Sequence, residues 1–581
     1  MKTMNAAGAF KILEILQNAF RILAFLNLTE YLWPHQANVR DKASFDFIVV
    51  GGGTAGSVIA NRLSEIEHIN VLLIEAGGDP PFESDLPGLP LLIKRSRYDW
   101  NYTAELDELE DSCHLNPQYE ITQGKMLGGS GSLNYMVYHR GQPSDYDSWA
   151  EVTKDDSWKW KNVLPYFMKS IKTNDPQILQ SADKKYYGTD GLLEISRDHR
   201  ERINNFLDAF RELGNDINLD FNENHPLGFA AQTFTLAGRS RQSTAYAFIS
   251  SAKNRRNLHV LKNTLVTKIL FDKNKKAIGV EVLTGDRKTM TLKAKKEVIV
   301  SAGVFNTPKL LMLSGVGPEE HLKCKNIHVV SNLPVGENLQ DHVGIIMVQN
   351  MDTLTEPLPQ PSPYELPGFS FTGFVTLNQS SNIPDYQMTA YVAGPEAVIY
   401  YCTFGFRFSD DVCNNIYVSN RLQSFTEIVN LNPKSRGKVL LKSANPEDPP
   451  IIKYGFYSNK DDVESLIDHI LDFMRVMETT YYTKVDAVMA DAAPHCNTYG
   501  QDTREFWRCY IMCMSTGISH LTSTCPMGTV VDSRLRVHGV KGLRIADASV
   551  MPTITRGNPM AAVIMIGEKV SDLIKQDHKL I

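Results

Sequence analysis

Phe45 to Val50 is a short apolar, β-prone run that leads without a break into Gly51-Gly52-Gly53-Thr54-Ala55-Gly56. Ser57 to Leu63 reads as the opening of a helix, and Val71 to Ile74 is a second apolar run ending at Glu75. Strand, glycine turn, helix, strand and acid in this order make a βαβ dinucleotide-binding unit. Backbone N–H groups and the helix amino terminus receive a pyrophosphate, and the acid accepts from the ribose hydroxyls. Glu75 stands 24 residues after Gly51, which is the separation this geometry needs. Glycines also serve ordinary turns, so the flanking strands and helix carry the inference. The cofactor contacts expected here are Gly51, Gly53, Thr54, Ala55, Gly56, Glu75 and Ala76. The unit alone does not choose FAD over NAD.

A chain of 581 residues is too long for one ordinary core, since single cores stop growing at about 250–300 residues. With 60 Lys+Arg against 66 Asp+Glu and no dense basic stripe, it lacks the electrostatic footprint of a nucleic-acid binder. Eight cysteines include no CxxC pair; the closest two, Cys509 and Cys513, are four apart, so no metal site is expected and the redox compartment stays open. Residues 1–42 form an apolar, amphipathic segment in which Ile12, Leu13, Leu16, Phe20 and Leu23 recur at helical spacing. Charges interrupt it before 18 apolar residues accumulate, which argues against a membrane span. A signal peptide with its apolar centre at Ile22 to Leu28 and a surface or core helix are the two readings. The first makes the protein secreted, and it would open the acceptor patterns at Asn27, Asn101 and Asn378 to glycosylation.

Gly124 to Asn134, GKMLGGSGSLN, is a second small-residue loop, too rich in Gly and Ser for a regular helix and able to pass close to a flat, bulky group. With this loop the sequence resembles the glucose–methanol–choline (GMC) oxidoreductases. One family signature corresponds to Gly124 through Asn134 and continues to Tyr138 and Gly141; another corresponds to Gly303 through Gly317. Further matches are Leu333 to His342 and a block from His520 to Ile566. The organisation of the amino terminus is similar to that of the insect members.

The resemblance implies an α/β fold: a Rossmann-like FAD-binding domain with an interleaved α+β substrate-binding domain, an antiparallel sheet backed by helices. The FAD domain would be assembled from 43–145, 230–345 and 510–581, and the substrate domain from 146–229 and 346–509. Local patterns agree in outline. Ile278 to Val282, Thr289 to Leu292 and Glu297 to Val300 read as consecutive strands, and 462–485 reads as one long amphipathic helix. The segment 352–367, with five prolines, reads as an extended loop bordering the substrate entrance.

The same resemblance implies the chemistry, which is FAD-dependent oxidation of a CH–OH donor by hydride transfer to the flavin N5. The family's catalytic histidine falls on His520 as proton acceptor, a role for which a reference pKa near 6.5 suits an imidazole. The second catalytic position falls on Asn558 in Arg556-Gly557-Asn558-Pro559, a setting that is also a turn former. Asp547 and Ala548 correspond to the pyrophosphate and ribityl region, Gly129, Asn134 and Val137 to the flavin side, and Trp100 and Val266 to peripheral cofactor contacts. Departures from the family pattern are Val304, Gly131, Leu521-Thr522-Ser523 and Pro526. They leave the acid–base residues intact but argue against copying glucose over as the substrate.

Aromatic and large apolar residues in 364–371, 388–391, 399–408 and 507–514 point to a bulkier, less polar substrate, a sterol-like or aromatic alcohol. Oxygen and a quinone are both open as electron acceptors. Ecdysteroid 3-oxidation with oxygen is the leading specific alternative, beside a quinone-dependent glucose dehydrogenase and a catalytically inactive flavin-binding protein.

Overall fold

The computed structural model describes residues 30–105, 113–116, 119–222, 225–352, 362–366 and 368–580 of the chain. The amino-terminal helix or signal peptide, the Asn27 acceptor pattern and most of the proline-rich segment 352–367 lie outside them.

Two seven-stranded sheets organise the molecule. The first places Ser44–Val50 between Val71–Ile74 and Thr289–Val300, both parallel to it. Leu258–Leu261 extends one edge in parallel beyond Val71–Ile74, and Leu543–Ile545 pairs in parallel with Thr289–Val300. Ala277–Thr284 and Thr264–Phe271 continue the sheet as an antiparallel meander. The central parallel strands are buried along both faces, which explains their continuous apolar runs. Helix Thr54–Ser64 packs against helix Met560–Asp577 on this sheet, so the first and last described α-helices meet.

The second sheet is antiparallel, in the order Val488–Met489, Val343–Met351, Leu422–Asn430, Tyr386–Ala393, Phe369–Val375 and Gly228–Ala231. Ser515–Gly517 pairs with the Val343 end of Val343–Met351. Helices Asp461–Met474 and Arg504–Met514 pack on each other, and the first of them on Leu422–Asn430. Each sheet has its own hydrophobic core.

The sequence expectations hold in outline and fail in three places. The helix expected over 462–485 is three pieces, Asp461–Met474, a 3-10 turn Arg475–Glu478 and a short helix Thr480–Lys484. Thr479 breaks it: its backbone is extended and its hydroxyl donates to the Val476 carbonyl at 2.6 Å, a local competitor to helical bonding. Thr289 to Leu292 and Glu297 to Val300 are one continuous strand. The segment 146–229 is divided: Tyr146, Trp149, Trp158, Phe167 and Ile195 belong to the core of the first sheet, whereas Phe206, Phe210 and Phe229 belong to that of the second.

Three disulfides tie the second unit together: Cys113–Cys513, Cys402–Cys413 and Cys496–Cys509. The first joins residues 400 apart. It fixes the stretch carrying His114, Asn116, Tyr119 and Glu120, which faces the large cavity between the sheets.

Candidate active site

The cavity is 320 Å³ in volume, and its wall runs from the glycine turn at Gly51 to His520 and Asn558. Fifteen of the sixteen residues singled out in the sequence line it: Gly51, Gly53, Thr54, Ala55, Glu75, Ala76, Trp100, Gly129, Asn134, Val137, Val266, His520, Asp547, Ala548 and Asn558. Gly56 does not. A Cβ there would stand 1.9 Å from the Gly51 carbonyl oxygen, so Gly56 serves the close approach of helix to turn.

Two other glycines behave differently. A Cβ at Gly303 would meet no atom within 4 Å, and one at Gly53 nothing nearer than 3.9 Å. Both border the cavity, so each leaves room that a side chain would fill. Glu75, at the end of Val71–Ile74, accepts from the N–H groups of Gly52 and Gly77, each at 2.8 Å. Burial pushes its carboxyl up to about 7. This glycine cradle, open on the cavity side with a buried acid at its end, fits a dinucleotide cofactor.

Asp547 is fully engaged by protein. One carboxylate oxygen accepts from the Ser549 N–H at 2.8 Å and its hydroxyl at 2.5 Å; the other accepts from the Gly303 N–H at 2.9 Å and the Thr307 hydroxyl at 2.6 Å. It thereby fastens the start of helix Gly303–Leu313 to the carboxyl-terminal segment. Asn134 is similarly held: its Oδ1 accepts from the Met136 N–H at 3.0 Å and from Arg241 Nη1 at 2.7 Å. Arg241, buried and absent from the sequence expectations, also donates to the Ser84 carbonyl at 2.7 Å. Burial pulls its guanidinium down to about 10. Gly131, where the family pattern carries serine, has Thr54 Oγ1 only 2.9 Å from where a Cβ would stand. Trp100 stacks on Tyr102, ring centroids 5.9 Å apart, with the Lys125 ammonium 4.7 Å from its own ring.

At the other end of the cavity, Asn558 Nδ2 lies 2.8 Å from His520 Nε2, and His520 Nδ1 lies 3.0 Å from His342 Nδ1. With the Asn558 amide donating to Nε2, the proton of neutral His520 is on Nδ1, directed at His342. Burial first, then the neighbouring His342 and His139, holds His520 well below the usual imidazole range. His342, fully buried, is pushed down to about 3 by desolvation and by Arg556. Asp341 sets the backbone here: its carboxylate accepts from the N–H groups of His342, Ser519 and His520, and from the Tyr454 hydroxyl. Ser519 and Ser523 take left-handed backbone conformations, φ 62° and 73°, on either side of His520.

The loop carrying Asn558 is anchored by Asp145, which accepts from the Arg556 N–H at 2.8 Å and pairs with its guanidinium. Arg556 Nε reaches Asn432 Oδ1 at 2.8 Å.

Of the aromatic stretches expected at the substrate side, Tyr391 and Phe406 reach the cavity, joined by Tyr135 and Val429. Trp507 and Tyr510 are core instead, packed edge to face at 5.6 Å.

A dinucleotide cradle joined by one cavity to a neutral, buried histidine at the edge of an antiparallel sheet fits a dinucleotide-dependent oxidoreductase. The GMC oxidoreductase models match residues 45–344 and 433–567. The chain is 39% identical to an ecdysone oxidase of Spodoptera littoralis, with 95% of each chain covered. It is 36% identical to a glucose dehydrogenase [FAD, quinone] of Drosophila pseudoobscura pseudoobscura, covering 92% of this chain and 87% of that one. A solved formate oxidase of Aspergillus oryzae superposes with a TM-score of 0.81 at 25% identity, covering 93% of this chain and all of that one. The chain belongs to the GMC oxidoreductase family, and it is an FAD-dependent alcohol oxidoreductase. Among the described residues no helix is long and apolar enough to cross a membrane.

Proposed function

We propose that the chain oxidises the carbinol of a bulky, largely apolar alcohol at the cavity end formed by His520 and Asn558. The 2.8 Å contact between Asn558 Nδ2 and His520 Nε2 carries this reading. An alcohol oxygen entering there can donate its proton to Nε2 while accepting from the Asn558 amide, so one hydroxyl replaces the direct contact and is held at two points. His520 is neutral and therefore able to accept that proton, and its Nδ1–H is steadied by His342. FAD, when bound, supplies the hydride acceptor. Its pyrophosphate and ribose would lie along Gly51–Ala55, Glu75–Ala76 and the backbone of Asp547–Ala548, and its flavin end beside Gly129, Asn134 and Val137.

The aromatic wall of Tyr135, Tyr391 and Phe406 favours a sterol-like or aromatic skeleton over a free sugar. With the ecdysone oxidase likeness, it makes ecdysteroid 3-oxidation with oxygen the leading specific reading. Three disulfides fit an oxidising compartment and support secretion.

The test is anaerobic reduction of the holoenzyme by a panel of sugars, aromatic alcohols and ecdysteroids, followed by reoxidation with oxygen or a quinone. His520→Ala is expected to keep its FAD and lose flavin reduction by about 10³-fold. Unchanged reduction in that variant rejects the proton role. A wild-type flavin that no alcohol bleaches rejects alcohol oxidation altogether.

A further inference from the structure

Across the cavity, the antiparallel sheet offers a polar cluster that hydride chemistry leaves unused. Gln387, Thr389 and Tyr391 alternate along Tyr386–Ala393, and Glu427 and Val429 along Leu422–Asn430; all five border the cavity. Thr389 is directly opposite Glu427, and Gln387 opposite Val429. Lys94 reaches the same space from the other unit, its ammonium donating to the Tyr135 hydroxyl at 3.3 Å.

Two observations mark this cluster as built for a ligand. The Glu427 carboxylate makes no hydrogen bond and no ion pair among the described residues, although the side chain is only partly exposed and borders the cavity. Gln387 is 2% exposed; its amide nitrogen is spent on Thr372 and Thr389, and its Oε1 is buried with no partner. An unpartnered buried acceptor such as Gln387 Oε1 is costly, about 1–3 kcal/mol, and a donor entering the cavity beside it offsets that cost.

The charges narrow the group. Glu427 and Lys94 act on each other electrostatically without coming within ion-pair distance, and burial pushes the carboxyl up to about 7 and the ammonium down to about 8. A group between them must donate to the carboxylate and accept from the ammonium. A hydroxyl does both. A quaternary ammonium does neither, and Lys94 opposes it, although a carboxylate among tyrosines would otherwise suit such a cation.

We propose that Glu427, Lys94 and Gln387 form a second recognition subsite that binds a distal hydroxyl of the substrate. The preferred alcohol is then an uncharged, flat, apolar skeleton with at least two separated hydroxyls, one at His520 and Asn558 and one here. This rests on the reading of His520 and Asn558 as the oxidising end.

The test uses oxidised holoenzyme and follows ligand binding by the shift in flavin absorbance, with bleaching scored separately in anaerobic samples. The probes are ecdysone, a 3-hydroxysteroid with no other polar group, and choline. Wild type is expected to bind ecdysone at least tenfold more tightly than the monohydroxysteroid and to bind choline more weakly than both. Glu427→Leu and Lys94→Met are each expected to abolish the tenfold difference and leave monohydroxysteroid affinity within twofold; the second variant stands if the first does not fold. Equal wild-type affinities for the two steroids, equal losses for both in either variant, or tighter binding of choline overturns the subsite. Selective binding without bleaching by any probe leaves the subsite standing and rejects the oxidation reading instead.

Discussion

His520 is held at both ring nitrogens by different parts of the chain: Asn558 Nδ2 is 2.8 Å from Nε2, and His342 Nδ1 is 3.0 Å from Nδ1. The first partner faces the cavity and can be exchanged for a substrate oxygen. The second is buried and fixes the ring. Removing the exchangeable partner alone, as Asn558→Ala, is expected to slow flavin reduction about 10²-fold, the usual effect of losing one hydrogen-bond donor at a reacting oxygen. Anaerobic stopped-flow with FAD content measured in parallel checks this; a change below twofold would falsify the role given to Asn558.

The depressed pKa of His520 has a definite sign for activity. In the proposed role His520 works unprotonated, and its lowered value keeps it so until the pH falls well below 6.5. The rate of flavin reduction at saturating alcohol should therefore hold level from pH 8 to pH 6. An acid limb with an apparent pKa at or above 6.5 would show that His520 is not the group titrated, or not in this environment.

Two glycines of one turn predict opposite behaviour. Gly56→Ala drives a Cβ into the Gly51 carbonyl and is expected to cost about 2 kcal/mol or more of stability, with FAD lost as a consequence. Gly53→Ala meets open cavity, so the apoprotein should melt within about 1 °C of wild type while FAD affinity falls at least tenfold. Apoprotein calorimetry and a flavin titration separate the two; equal melting losses reject the assignment of Gly53 to cofactor space.

Asp145 and Arg556 position Asn558 from behind. Asp145→Asn keeps the shape but weakens the charge-assisted bonds, at an expected cost of about 2 kcal/mol, and it loosens the 555–559 loop. Flavin reduction should slow while FAD stays bound. Urea denaturation and reduction kinetics on the same preparation are the check, and loss of FAD in step with activity would point to a general folding defect instead.

The parts legible in the sequence are those where backbone geometry dictates residue type. A strand turning into a helix around a pyrophosphate needs glycines at fixed spacing, so 45–75 could be read directly. His520 and Asn558 became legible only through family resemblance, because a lone histidine carries no local signal. His342 stood in plain view in Leu333 to His342 without a role, since its meaning comes from a contact across 178 residues. Arg241, Glu427 and Lys94 were invisible for the same reason: each acts on partners brought together by the sheets. Cysteine spacing likewise hid its pairing, because Cys113 and Cys513 meet only when the fold is complete. The broken helix at Thr479 shows the reverse case, where a correct apolar period continues through a residue whose hydroxyl ends the helix.

Leu543–Ile545 docks beside Thr289–Val300, and Met560–Asp577 covers Thr54–Ser64. During synthesis, helix Thr54–Ser64 therefore emerges some 500 residues before the helix that covers it, and a ribosome would work for about half a minute or more before that one arrives. Through that interval the strands Ser44–Val50 and Val71–Ile74 gain their neighbours Leu258–Leu261 and Thr289–Val300, while Thr54–Ser64 still waits for its covering helix and Thr289–Val300 for Leu543–Ile545. The amino-terminal βαβ unit, the first segment made, is among the last to be finished.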